Sequence, residues 1–113
     1  MHELGIMYHI VEQVLHVAAE NDLTQVKTIV LQVGERSSVV PRYLDACFPA
    51  AVDGTLLEHT ELSIEILPAN GVCSHCGKVF ALTGQGGVCP HCGGREYEEL
   101  SGREFYIKEI VAC

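Results

Sequence analysis

Cys73, Cys76, Cys89 and Cys92 stand in the spacing C-x2-C-x12-C-x2-C, within Cys73-Ser74-His75-Cys76-Gly77 and Cys89-Pro90-His91-Cys92-Gly93. Each C-x2-C pair wraps a tight knuckle that aims two thiolates at one ion, and the glycine after the second cysteine lets the backbone turn with φ > 0. Four thiolates at about 2.3 Å close a tetrahedron and leave no open position for catalysis, which suits a structural Zn(II) ion. The same donors also accommodate iron in a rubredoxin-like electron carrier, and spacing alone does not separate the two metals. A disulfide framework is the weaker use of these cysteines: the first residues show no basic segment leading into an apolar one, so a cytoplasmic chain with reduced thiols is expected. Cys47 and Cys113 belong to no such pattern.

A second group of potential ligands lies at the amino terminus. Met1-His2-Glu3 places an α-amine, backbone amides and an imidazole within one short stretch. Chelate rings closed by those nitrogens favour a tetragonal Ni(II) or Cu(II) ion over zinc. The plainer alternatives are an exposed terminus at His2 and, for Glu3, a carboxylate facing the positive end of a helix. His2, His9 and His16 recur at seven-residue intervals, but i and i+7 on a helix are about 10.5 Å apart, too far to share one ion. His9 and His16 are therefore expected on a solvated helix face, and His59 in a loop. Nothing in the sequence pairs Ser/His/Asp or Cys/His in a local catalytic signature or builds a phosphate-cradling glycine loop, so an enzyme is not expected.

Composition narrows the partners. The 113 residues carry seven Lys and Arg against fifteen Asp and Glu, a formal net charge of −8, whereas nucleic-acid binders need a basic face to release counterions from phosphates. Hydrophobic residues make up 48% of the chain and the mean hydropathy is +0.21, too apolar for a disordered acidic tail. No run reaches the roughly 18 apolar residues that span a bilayer. No nucleic acid and no membrane are therefore expected as partners. Residues 1–69 hold three basic against ten acidic side chains, and residues 70–98 two of each, which puts the acidity outside the cysteine-bearing segment.

The elements that must position these groups are legible in the hydrophobic periodicity. Leu4, Met7, Val11, Val14, Leu15 and Ala18, widened by Ile6, Ile10 and Val17, predict an amphipathic helix over 4–21. Lys27, Ile29, Leu31 and Val33 alternate towards Gly34 as a strand. Ser37 or Ser38 then offers a helix cap, Pro41 suits a first turn, and Tyr43, Leu44, Cys47 and Phe48 fall at helical spacing, with Pro49 as a kink and Gly54 as a stop. Leu62, Ile64 and Ile66 predict a strand closed by Pro68. Phe105, Ile107 and Val111 predict a last strand returning to the first sheet. The fold class is α+β: a small sheet of about three strands covered by two helices, with an inserted zinc-ribbon-like module built on four cysteines. The expected domains are 1–69 plus 99–113, and 70–98. The inserted segment contains seven glycines and few large apolar residues, so it needs an ion to offset its chain entropy.

Together, Met1-His2-Glu3-Leu4 opening a helix, a strand ending in Val33-Gly34, a second helix, the paired knuckles and a closing strand resemble the HypA/HybF hydrogenase maturation nickel chaperones over nearly the whole chain. The resemblance implies a nickel-binding α+β domain and a zinc domain. It implies Ni(II) as transported cargo, delivered to the [NiFe]-hydrogenase large subunit together with a HypB-like partner GTPase. Carried over by position, His2 supplies the nickel-binding side chain, the His2 and Glu3 backbone amides lie beside it with the Met1 amine as a further donor, and Cys73, Cys76, Cys89 and Cys92 bind zinc. His75 and His91, one inside each knuckle, stand behind the thiolates or exchange with them as pH falls; otherwise they are exposed imidazoles at the knuckle tips. A monomer or weak homodimer is the expected state. A zinc-ribbon interaction module or a rubredoxin-like electron carrier is the rival function.

Overall fold

The computed structural model describes residues 2–112, with side chains from Glu3 onward. Two α-helices and six strands follow in the order α1 (His2–Glu20), β1 (Val26–Gly34), α2 (Pro41–Val52), β2 (Glu61–Leu67), β3 (Asn70–Cys73), β4 (Val79–Ala81), β5 (Tyr97–Ser101) and β6 (Phe105–Ala112). They form two three-stranded sheets, β2-β1-β6 and β4-β3-β5. The α+β class, the two helices and the three-stranded sheet agree with the sequence expectation. So does the return of the last strand to β1, which makes the cysteine-bearing segment an insertion between β2 and β6.

Residues group into two compact units. The first takes residues 2–32, 39–65 and 105–112. Met7, Ile10, Val11, Val14 and Ala18 bury one stripe of α1, and Leu44, Phe48, Ala51 and Val52 bury one face of α2, the 3- and 4-residue spacings that keep an apolar face continuous. Val17 departs from the expected stripe and is exposed, because it lies off the face that packs. α1 stops at a left-handed residue, Asp22 (φ 53°), and Leu23 N–H closes back onto Ala18 O at 2.8 Å, the bond that satisfies a terminal carbonyl in a Schellman ending. Ile29, Leu31 and Val33 are fully buried on one face of β1, and Val30 on the opposite face is 7% exposed. On that second face long polar side chains bridge the three strands: Lys108 Nζ reaches Glu65 at 3.2 Å, Gln32 Nε2 donates to Glu65 at 2.9 Å, and Tyr106 donates to Gln32.

The start of α2 differs from expectation. Its N-cap is Val40, with Pro41 following and no side-chain cap, so neither Ser37 nor Ser38 takes that role. The Val40 N–H is instead directed to the carboxylate of Glu3, from the first turn of α1, at 3.4 Å. Pro49 is tolerated inside the helix one turn from its end, where few backbone bonds remain to be lost.

The second unit comprises Val33–Ser38 and Ile66–Glu104, a wider stretch than 70–98. Backbone bonds tie its short segment in place: Gly34 N–H to Glu104 O at 2.6 Å, Glu35 N–H to Leu67 O at 2.8 Å and Arg36 N–H to Gly102 O at 2.6 Å. The Glu35 carboxylate accepts from Thr83 Oγ1 at 2.7 Å and Ala69 N at 3.0 Å, which hold its pKa below the usual carboxylate range. Arg36 and Arg103 both pair with Glu99 at 2.9 Å. The backbones approach so closely here that a Cβ on Gly102 would meet the Ala69 Cβ at 2.5 Å, and Gly102 sits at φ +120°. Gly102→Ala should therefore destabilise the metal-loaded protein by roughly 3 kcal/mol, combining left-handed strain with overpacking. Urea unfolding with an unshifted midpoint would contradict this.

Candidate metal centre

Two antiparallel pairings carry the cysteines. β3 pairs with β4 through Gly71 opposite Phe80, and with β5 through Cys73 opposite Tyr97. Cys73 ends β3, and the chain turns so that Gly77 N–H bonds Cys73 O at 2.9 Å; the second knuckle repeats the bond, Gly93 N–H to Cys89 O at 2.8 Å. Gly77 and Gly93 have φ of 73° and 77°, a conformation in which a Cβ would be strained. In each knuckle the amide of the residue two beyond the first cysteine points at its sulfur: His75 N to Cys73 Sγ and His91 N to Cys89 Sγ, both 3.4 Å. The two loops are thus built alike, as their shared C-x-H-C-G sequence requires.

The knuckles bring all four sulfurs within 4.8 Å of one another, Cys73 and Cys89 buried and Cys76 and Cys92 exposed. Two contacts cross between the knuckles, Cys73 to Cys92 at 3.5 Å and Cys76 to Cys89 at 3.7 Å. Sulfurs bound at about 2.3 Å to one tetrahedral ion would stand about 3.8 Å apart. The cage therefore has the size of a four-coordinate thiolate site. The side chains of His75 and His91 are exposed, and the cluster of converging ligand atoms consists of the four sulfurs.

The site is also the unit's core. Ala69, Cys73, Phe80, Leu82 and Cys89 form the buried cluster, closed by the partly buried Tyr97, whose ring meets Phe80 edge-on at 5.7 Å. Two of the five buried residues are thus prospective ligands. Gly94, which sequence reasoning passed over, belongs here too: a Cβ on it would lie 2.7 Å from the His75 ring and 3.3 Å and 3.4 Å from the Cys92 and Cys73 sulfurs. Only its place one residue beyond the C-x2-C-G motif hinted at that contact.

The sulfurs differ electrostatically. Amide hydrogens of Cys76 and His75 point at Cys73 and favour its thiolate, lowering its pKa to about 6. At Cys92 the Gly94 N–H acts in the same direction but is outweighed by the neighbouring Cys73 sulfur, by desolvation and by Cys76 and Cys89, which push the thiol up to about 12. Metal-free, the cluster holds its negative charge on Cys73 and shares a proton towards Cys92.

The other expected ligands, the Met1 amine and the His2 imidazole, lie outside the described residues, as does Cys113. Glu3 is described, 7% exposed, with its carboxylate on Val40. His9 and His16 are exposed on α1, and His16 lies 3.1 Å from Glu20. No helix among the described residues is long and apolar enough to cross a membrane.

A family model described as "Hydrogenase/urease nickel incorporation, metallochaperone, hypA" matches residues 1–112. The chain is 36% identical over 111 residues to the hydrogenase maturation factor HypA of Prosthecochloris aestuarii, covering 98% of each. It is 37% identical over 110 residues to that of Geobacter metallireducens, covering 97% of each. Among solved structures, the solution structure of the Ni metallochaperone HypA from Helicobacter pylori is similar with a TM-score of 0.66 at 20% identity, over 97% of this chain and 96% of that one. A second HypA solution structure gives 0.72 at 21% identity, over 100% and 97%. These two likenesses show a shared fold.

Two outcomes test the site. Cys73→Ala removes a buried ligand from a core that has little else, so zinc affinity should fall by well over roughly a hundredfold, more than loss of an orienting group costs. Limited proteolysis should then cut within Ile66–Glu104 while α1 stays intact; equal protection of both would contradict this. The pH dependence has a definite sign. Zinc competes with protons for sulfur, so affinity falls as pH falls. Above about pH 6 Cys73 is already thiolate, while Cys92 must give up its proton throughout. The plot of log affinity against pH should steepen by about one unit below pH 6, where the Cys73 proton joins the competition. Chelator competition showing one constant slope across that pH would overturn the assignment.

Proposed function

The chain belongs to the HypA family of hydrogenase and urease nickel-incorporation metallochaperones, which are maturation factors and not enzymes, and from that premise we propose that it binds Ni(II) at its amino terminus and zinc among its cysteines, and delivers the nickel during [NiFe]-hydrogenase maturation. The observation that carries this reading is the match over residues 1–112, which includes both Met1-His2-Glu3 and the paired knuckles. The nickel-binding function goes to the α+β part, 1–69 plus 99–113, and the zinc-binding function to 70–98.

The chemistry of the two ends supports the division. Zn(II) has no preference for a planar field and is held by four converging thiolates; Cys73, Cys76, Cys89 and Cys92 are its ligands, and the ion acts there as the missing centre of a small core. Nickel goes to nitrogen. α1 starts at His2, and the first four N–H groups of any helix have no partner within it. The amides of His2 and Glu3 are therefore available, and the positive end of the helix favours the negative charge of a deprotonated amide. The His2 imidazole completes the chelate, with the Met1 amine as a further donor. Each of these nitrogens must lose a proton or lack one to bind, which keeps affinity pH-dependent and the cargo releasable.

A HypB-like GTPase and the large subunit of the hydrogenase are the partners in this reading, and the cytoplasm is its compartment. The acidity of residues 1–69 favours a basic partner surface and argues against nucleic acid. Substituting His2→Ala should abolish specific nickel binding and leave zinc content and thermal unfolding as in the parent. Calorimetric titration that returns the same nickel affinity for the variant would refute the terminal site.

A further inference from the structure

Glu3 and Thr60 are the buried polar or charged residues among those described. Thr60 is accounted for within the sheet region, its hydroxyl donating to Val26 O at 2.7 Å. Glu3 is the unusual one. An acidic residue that is 7% exposed incurs a desolvation cost unless something compensates. Two compensations meet at this side chain. It lies in the first turn of α1, where the helix end is positive. Its Oε2 also accepts the N–H of Val40, the N-cap of α2, which has no side-chain cap of its own. In a capping box an acidic side chain from the same helix accepts this N–H; here the acid comes from a different helix, 37 residues away in sequence.

We infer that Glu3 is a positioning residue for the terminal nickel chelate: its carboxylate fastens the first turn of α1 to the Val40 amide of α2, and its side chain gives no atom to the ion. The inference rests on the proposed nickel site and assigns a role that the site leaves open. A chelate made largely of backbone nitrogens is only as well arranged as its backbone, and a free terminus loses entropy when an ion orders it. Fastening the side chain of residue 3 restricts the amides of residues 2 and 3 before nickel arrives. With Oε2 on the Val40 amide, the side chain is occupied in joining the two helices.

The experiment compares Glu3→Ala, Glu3→Gln and the double variant Glu3→Ala/Val40→Ser in the zinc-loaded full chain, using NiCl2 as the probe and amide exchange at residue 40 in the nickel-free protein. Glu3→Ala should lose the protection of the Val40 amide and weaken nickel binding about tenfold, the worth of one hydrogen bond to a charged acceptor. Glu3→Gln keeps an acceptor oxygen and should recover most of that loss. In the double variant the Val40→Ser change gives α2 a side-chain cap of its own, so thermal stability should return while nickel affinity stays low. If Glu3→Gln loses as much nickel as Glu3→Ala, the carboxylate is itself a ligand and the inference is overturned. It is overturned equally if the double variant regains nickel, since the effect is then one of stability alone, or if Glu3→Ala leaves Val40 protection unchanged. A parent protein that binds no nickel at its terminus, with Val40 still sensitive to Glu3, overturns the nickel reading and the inference resting on it, and that pattern is distinct from the others.

Discussion

Four sulfurs that converge to within 4.8 Å place an unusual demand on the second unit, because two of them are also a large part of its buried interior. Thiolates packed this closely repel one another, and a core of Ala69, Phe80 and Leu82 with Tyr97 at its edge has little apolar area to oppose that repulsion and the entropy of nine glycines. An ion at the centre of the cage eases both difficulties at once: a divalent cation offsets half of the four thiolate charges and cross-links the two loops. Metal binding then stabilises the folded form of this unit. The amide hydrogens of His75 and His91 aimed at Cys73 and Cys89 and the shift of Cys73 towards thiolate are the protein's preparation for that charge.

The rest of the second unit supports the cage from outside. β3 carries Cys73 and sits between β4 and β5; the strands are short, and their outer ends are secured by Glu35, which joins Ala69 and Thr83, and by Ser101, whose hydroxyl donates to Pro68 O and accepts from Asn70 N. Hydrogen bonds therefore do at the strand ends what buried side chains do in α1 and α2. The first unit has the opposite character, with a continuous apolar interior drawn from Met7 to Val52.

How much of this the amino-acid sequence discloses follows from the range of the forces involved. Periodicity at three and four residues located α1, because burial on one helix face repeats locally; alternation located β1, β2 and β6 for the same reason. The knuckles were legible because ligand geometry dictates their spacing. The sheet β4-β3-β5 was not, since Val72, Val79 and Phe80 are too few for a pattern and the pairing of β3 with β5 depends on partners distant in sequence. Val17 was misplaced because one apolar residue at the edge of a stripe does not show whether the neighbouring element reaches it. The capping of α2 was missed most completely: the local candidates Ser37 and Ser38 obey the usual rule, whereas the acceptor in fact comes from Glu3 through tertiary packing that no local rule registers.

On the proposed reading two coordination chemistries are at work in this chain, sulfur at one locus and nitrogen at another. X-ray absorption at both metal edges, on protein loaded with one equivalent each of zinc and nickel, reads them separately. The zinc shell should contain four sulfurs at about 2.3 Å, and the nickel shell nitrogen and oxygen without sulfur. Sulfur scattering around nickel, or a zinc shell short of four sulfurs at neutral pH, would contradict that division.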